Sequence, residues 1–217
     1  HRRFARTRGN QLLALAARLG NLQTRTRASI VAKHHYDIGN ALYERMLDPY
    51  MNYSCGYWEY ADSLEQAQID KMQLVCEKLE LASGMTVLDI GCGWGGLARY
   101  AAEHYDVRVV GITISREQHS WALTRSAGLP VQIRCQDYRE VTGEYDRIVS
   151  VGMFEHVGLK NLSGYFATVH RLLVPSGLFL NHGITHDVEG WRKSVSTEFI
   201  IRYVFPDGQL DTVSNIQ

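Results

Sequence analysis

No apolar run in the 217 residues approaches 18, so no stretch reads as a transmembrane helix. His1-Arg2-Arg3 leads into no sustained apolar core, and a secretory leader is not expected. Cysteine is scarce: Cys55, Cys76, Cys92 and Cys135 stand far apart without a C-x-x-C pair. That argues against a disulfide framework and favours a reduced, cytoplasmic setting. Acid is missing from residues 1–33, which carry seven arginines and one lysine, whereas the other 184 residues hold all 23 acids against 15 basic groups. A basic front of this kind suits an anionic membrane surface or the acidic body of its own protein. Nucleic acid is disfavoured, because the aromatic interleaving of single-strand sites is absent. Internal repeats and low-complexity tracts are also absent.

What is present is an ordinary globular composition, 45% hydrophobic and 21% charged, enough for one main domain with a smaller attachment. Gln11 to Leu19 reads as a short helix ended by Gly20-Asn21, and Tyr36 to Leu47 as another stopped by Pro49. Tyr50 to Trp58 packs four aromatics and Cys55 into nine residues with neither period. Ser63-Leu64-Glu65-Gln66 is a capping box opening a helix that ends near Ser83-Gly84. Strands are expected at Thr86 to Ile90, Val107 to Ile112, Val131 to Cys135, Tyr145 to Val151 and Gly177 to His182. Helices alternate with them at Gly95 to His104, from the cap Ser115 onward, and at Asn161 to Leu173. Alternation requires right-handed crossovers and a parallel sheet with helices on both faces. Thr197 to Tyr203 reads as a further helical stretch before a turn at Phe205-Pro206-Asp207-Gly208.

The first strand carries the strongest signal. Val87-Leu88-Asp89-Ile90 runs into Gly91-Cys92-Gly93-Trp94-Gly95-Gly96 and then into a helix. Glycines at a strand-to-helix turn let a ligand approach backbone, and the helix start offers unpaired N–H groups. Gly91, Gly93 and Gly96 satisfy the dinucleotide spacing. A dinucleotide fold, however, needs an acid about 20 positions on. The second strand ends in Gly111-Ile112-Thr113, with no carboxylate before Glu117. An acid just before the glycines instead resembles the first motif of S-adenosylmethionine (SAM) methyltransferases. Ligands in such sheets bind beyond the strand ends. There Thr113, Ser115 and Gln118 offer neutral hydrogen bonds to a ribose, Asp137 can accept from an exocyclic amine, and Tyr138 can lie against adenine.

From about His34 onward the chain resembles the cyclopropane-fatty-acyl-phospholipid synthases and mycolic acid cyclopropane synthases. The segments that carry it are His35 to Asn40, Tyr53 to Trp58, Leu88 to Leu97, Gly111 to Ser115, Gln136 to Arg139, Asp146 to Val157 and Tyr203 to Gly208. The resemblance implies an α/β fold, a Rossmann-like SAM methyltransferase sheet with a short helical N-terminal segment. It divides the chain into a basic segment and cap at 1–50 and a SAM-binding catalytic domain at 51–217. It implies cofactor contacts at Tyr53, Ser54, Asp89, Gly91, Cys92, Gly93, Trp94, Gly95, Thr113, Ser115, Gln118, Tyr138 and Arg139, to which the loop reading adds Asp137. It further implies bicarbonate held by Cys55, Glu155, His182 and Ile184. A tyrosine ligand and the strands that complete the family's sheet lie beyond Gln217, so the sequence is expected to be part of a longer protein.

The activity implied is methylene transfer from SAM to the double bond of an unsaturated phospholipid acyl chain, closing a cyclopropane ring after bicarbonate deprotonates a carbocation. An acyl C-methyltransferase that leaves the ring open is the alternative. A non-catalytic SAM- or lipid-binding protein is a third reading, disfavoured by the intact glycine loop. Tyr57, Trp58 and Phe154 are candidates to face the cation. His182, His186 and Asp187 show no convergent ligand set, so no metal is expected. The partners implied are the lipid chain and, peripherally, an anionic inner membrane face; the basic front is alternatively a homodimer contact.

Overall fold

The computed structural model describes residues 40–185 and Val213. The expected helix at Gln11 to Leu19, the basic residues 1–33, residues 36–39, the helix at Thr197 to Tyr203 and the Phe205 turn lie outside the described residues. Five strands, β1 (Thr86–Ile90), β2 (Arg108–Thr113), β3 (Val131–Cys135), β4 (Tyr145–Val151) and β5 (Leu173–His182), pair in parallel in the order β3-β2-β1-β4-β5. The α-helices among the described residues are α1 (Asn40–Met46), α2 (Leu64–Lys78), α3 (Gly96–Tyr105), α4 (Arg116–Arg125) and α5 (Leu162–Leu172). The order reverses between β1 and β4, which opens a crevice at their carboxyl ends. No helix among the described residues is long and apolar enough to cross a membrane.

Strand alternation sorts the core into two layers. Val87, Val109 and Val149 pack against Met72, Val75 and Cys76 of α2 and Ala98 and Ala101 of α3. Leu88, Ile90, Ile112 and Ile148 pack on the other face against Tyr165, Val169 and Leu172 of α5. Asp89 shares its face of β1 with Val87, so the one carboxylate of that strand points toward α2.

Two boundaries differ from the sequence reading by more than a residue. α2 stops at Lys78, five residues early. Glu80 takes a left-handed φ of 51° while Leu81 N donates to Cys76 O and Glu80 N to Glu77 O. That is a Schellman stop built without glycine, so composition gave no sign of it. β5 begins at Leu173, with no loop after α5. Tyr145 pairs with Leu173 and Arg147 with Leu178, so Val174 to Gly177 form an irregularity inside the strand. Within it Ser176 adopts φ 65°.

Helix starts follow the caps. Ser63 Oγ accepts from Gln66 N and Ser115 Oγ from Gln118 N, each at 3.2 Å. The segment between α1 and α2 is neither helix nor strand, as expected. α1 does not stand apart from the domain: Trp94 Nε1 donates to Asn40 Oδ1 at 2.8 Å, and the Tyr43 and Trp94 rings lie 4.6 Å apart.

Candidate active site

At the end of β1 the chain turns because the N–H groups of Gly91 and Cys92 both donate to Ile112 O, at 3.0 and 2.9 Å. Gly91 has φ 81°, and a Cβ there would lie 2.8 Å from Met153 Cβ. Gly93 has φ 55° and nothing within 4 Å of its Cβ position, so a side chain there would enter open space. Beyond this loop lies a cleft of about 200 Å³. Tyr53, Ser54, Asp89, Gly91, Cys92, Gly93, Trp94, Thr113, Ser115, Gln118, Asp137, Tyr138 and Arg139 all line it. Gly95 does not. Its Cβ position faces Ala122 at 3.1 Å, and its φ of 79° serves the entry to α3.

Several polar groups expected to meet a ligand are tied to one another first. Thr113 Oγ1 donates to Gln118 Oε1 at 2.8 Å, and Ser115, 1% exposed, caps α4. The Asp137 carboxylate accepts from Arg139 Nε at 2.8 Å and Nη2 at 2.7 Å. The Arg139 guanidinium carbon also stands 5.3 Å from the centre of the Tyr138 ring. These pairs fix the wall's shape before anything binds, and they leave the Tyr138 face in the cleft.

Asp89 differs from its neighbours in the wall. It is 3% exposed, its Oδ2 meets no partner among the described residues, and burial pushes its carboxyl up to about 7 against the opposing pull of Lys71. An orphaned, buried carboxylate behind open glycines fits a positively charged ligand end, as SAM would present. Lys71 itself was missed by the sequence reading. Gln68 and Lys71 occupy the spacing of Met72, Val75 and Cys76 on one face of α2, so two polar residues at core positions were the available sign.

At the carboxyl ends of β4 and β5 the four residues assigned to bicarbonate fall into two close pairs, Glu155 with Ile184 and Cys55 with His182, and none of the four lines the cleft. Glu155 sits on a short 3₁₀ turn (Phe154–His156) after β4, 1% exposed, and its Oε1 accepts from Ile184 N at 2.7 Å. Cys55 Sγ lies 3.6 Å from His182 Nε2. Glu155 Oε2 and His182 Nδ1 are buried without partners among the described residues. A Cβ at Gly183 would stand 3.5 Å from Glu155 Oε2, so glycine keeps that oxygen approachable. Burial, and then the charge of Lys71, lowers the His182 pKa, against Glu155. An unsatisfied carboxylate oxygen, with a thiol beside the imidazole Nε2, fits a small oxyanion with a proton to share. Phe154, at 2% exposed, belongs to the core beside Val157 and Tyr165, whereas Tyr57 and Trp58 are 37% and 55% exposed. His186 and Asp187 lie outside the described residues.

The family model described as "Mycolic acid cyclopropane synthetase" matches residues 23–217. The chain belongs to this family. It is 56% identical over 205 residues to the cyclopropane-fatty-acyl-phospholipid synthase of Escherichia coli K12, covering 92% of this chain and 52% of that one. The cyclopropane synthase MmaA2 from Mycobacterium tuberculosis superposes with a TM-score of 0.82 at 34% identity, over 91% of this chain and 73% of that one. The mycolic acid cyclopropane synthase CmaA1 complexed with SAH and CTAB gives 0.81 at 35%, over 87% and 72%. The sheet is thus that of SAM-dependent methyltransferases. The chain spans about half the length of the E. coli relative.

Proposed function

We propose that this chain carries the SAM-binding and proton-handling parts of a cyclopropane-fatty-acyl-phospholipid synthase, which adds a methylene from SAM across the double bond of a phospholipid acyl chain. The observation that carries the reading is the buried Glu155, fixed through Ile184 N, which stands with the His182–Cys55 pair and the glycine loop at the carboxyl ends of the parallel strands. The likeness to CmaA1, solved with SAH, supports SAM as the donor.

The chemistry has two demands. An isolated alkene attacks the sulfonium methyl only when aligned in a dry pocket, where positioning supplies ~7 kcal/mol or more. The glycine turn, Tyr138 and the Thr113–Gln118 pair orient the donor for that attack. The alkene's π pair forms the new C–C bond, the C–S bond breaks toward sulfur, and the acyl chain is left with a carbocation. Ring closure then removes a proton from the new methyl group. A protein carboxylate beside that cation would form an ester, so Glu155, held by Ile184 N, stands back and accepts a hydrogen bond. His182 and Cys55 close the other side. Bicarbonate, when bound between these groups, supplies a small base. The net change is SAM plus alkene to S-adenosylhomocysteine, cyclopropane and a proton. Exposed Tyr57, Trp58 and Tyr60 beside Cys55 suit entry of an acyl chain, and the basic residues of 1–33 suit an anionic cytoplasmic membrane face.

Mass spectrometry of unsaturated phospholipid vesicles incubated with SAM and the full-length protein, with and without bicarbonate, tests this. A gain of CH₂ with loss of the double bond, faster with bicarbonate, is expected. A gain that keeps a double bond would make it an acyl C-methyltransferase, and no gain would refute the lipid reading.

A further inference from the structure

The polar end of the buried face of α2 has no place in the mechanism above. Gln68 and Lys71 are 2% and 6% exposed, an unusual position for an amine. Both turn to the segment that carries Tyr53 and Ser54 into the cleft and Cys55 to His182. Gln68 Nε2 donates to Ser54 O at 2.8 Å, and Lys71 Nζ donates to Ser54 Oγ at 2.8 Å and to Gln68 Oε1. At the other end Asp48 accepts from Tyr50 N at 3.0 Å and Asn52 N at 2.7 Å. Between them Met51 is held at φ 61°. A strap with a left-handed, non-glycine turn needs fixing from outside, and Lys71 fixes the end that meets the ligands.

Lys71 also lines the cleft with Asp89, and its charge acts on His182 outside it. Burial pushes its pKa down to about 8 against the charges of Asp48, Cys55 and Asp89, which favour the protonated form; it stays mostly protonated near neutral pH. Its charge in turn favours ionised Asp89 and neutral His182. We infer that Lys71 is a positioning residue for both halves of the site: its ammonium ties the Tyr53–Cys55 strap down through Ser54 and supplies a positive charge felt by both Asp89 and His182. The inference rests on the proposed function only for the identity of the cofactor.

Calorimetric titration of S-adenosylhomocysteine from pH 6 to 9, on the full-length protein, reads the first half. The wild type should bind more weakly as pH falls through about 7, where Asp89 takes up its proton. Lys71→Met should move that midpoint up by about one unit or more and weaken binding at pH 7 by ~10-fold. Lys71→Arg should restore the midpoint, and Ser54→Ala, which keeps the charge, should leave it in place. Unchanged or tighter binding by Lys71→Met would overturn the inference. NMR titration of His182 in the ligand-free protein reads the second half without SAM chemistry. Its midpoint should rise in Lys71→Met, and a midpoint that stays put also overturns the role. If Lys71→Met does not fold, Lys71→Gln removes the charge and keeps a donor for Ser54. Wild-type protein that does not bind S-adenosylhomocysteine would refute the SAM reading, leaving the His182 shift to decide the role of Lys71.

Discussion

The glycine loop is a site built from backbone, whereas the Glu155 cluster is built from side chains drawn from three distant segments. Gly91 and Gly93 owe their shape to φ values of 81° and 55° and to two hydrogen bonds onto Ile112 O. Glu155, His182 and Cys55 come from a 3₁₀ turn, a strand end and an irregular strap, and their polar atoms are left partly unsatisfied. A backbone site should survive conservative side-chain changes and fail when a Cβ enters it. A side-chain site should do the reverse.

The largest expected effect separates the two. Glu155→Gln keeps volume and an oxygen for Ile184 N but loses the charge, so turnover should fall by about 10²–10⁴-fold. Binding of S-adenosylhomocysteine, read by calorimetry, should stay within about twofold, because the glycine side is untouched. Equal losses in both would merge the halves into one unit and break the comparison.

Next comes a pair of glycine variants. Gly93→Val places its side chain in open space at the cleft. It should cost ~1–2 kcal/mol of stability from left-handed strain and abolish cofactor binding, by about 100-fold or more. Gly96→Val is the contrast. Its Cβ would overlap the Tyr50 carbonyl oxygen, backbone that cannot step aside. It should lower stability by ~2–3 kcal/mol in urea unfolding, with any binding loss following from the displaced strap.

The same division explains what was legible in the sequence. β1, β3 and β4 and the glycine turn were readable to the residue, because alternation and glycine are local signals of backbone. Glu155 and His182 were readable as strand-end polar residues and by family resemblance, but that Glu155 meets Ile184 and His182 meets Cys55 is a tertiary fact. Lys71 was not legible as functional, since a lysine on a helix ordinarily reads as solvated; only its register with Met72 and Val75 betrayed it. Gly95 was assigned to the cofactor with its neighbours, yet it turns toward Ala122. A loop residue at the entry to a helix can turn to the core behind the loop, and sequence alone does not say which one does. The Glu80 stop and the β5 irregularity were hidden because neither uses glycine at its left-handed residue.

Asp89 is the exception to the division, a side chain within the backbone half, and it gives the smallest and sharpest test. Burial raises its carboxyl to about 7, well above the value near 3.9 in an unfolded chain. The folded state therefore binds this proton more tightly than the unfolded state does. Its stabilising effect is complete below about pH 4 and is lost as pH rises through about 7. At pH 8 the ligand-free protein thus carries an ionised carboxylate in a place that disfavours it. Asp89→Asn removes that cost and should raise stability at pH 8 by ~1–2 kcal/mol while changing little at pH 4, measured by urea unfolding at both values. The same variant should lose most of its affinity for S-adenosylhomocysteine. A gain in stability joined to a loss of binding would mark Asp89 as strained for its ligand, whereas destabilisation at pH 8 would mark it as a structural acid paired with Lys71.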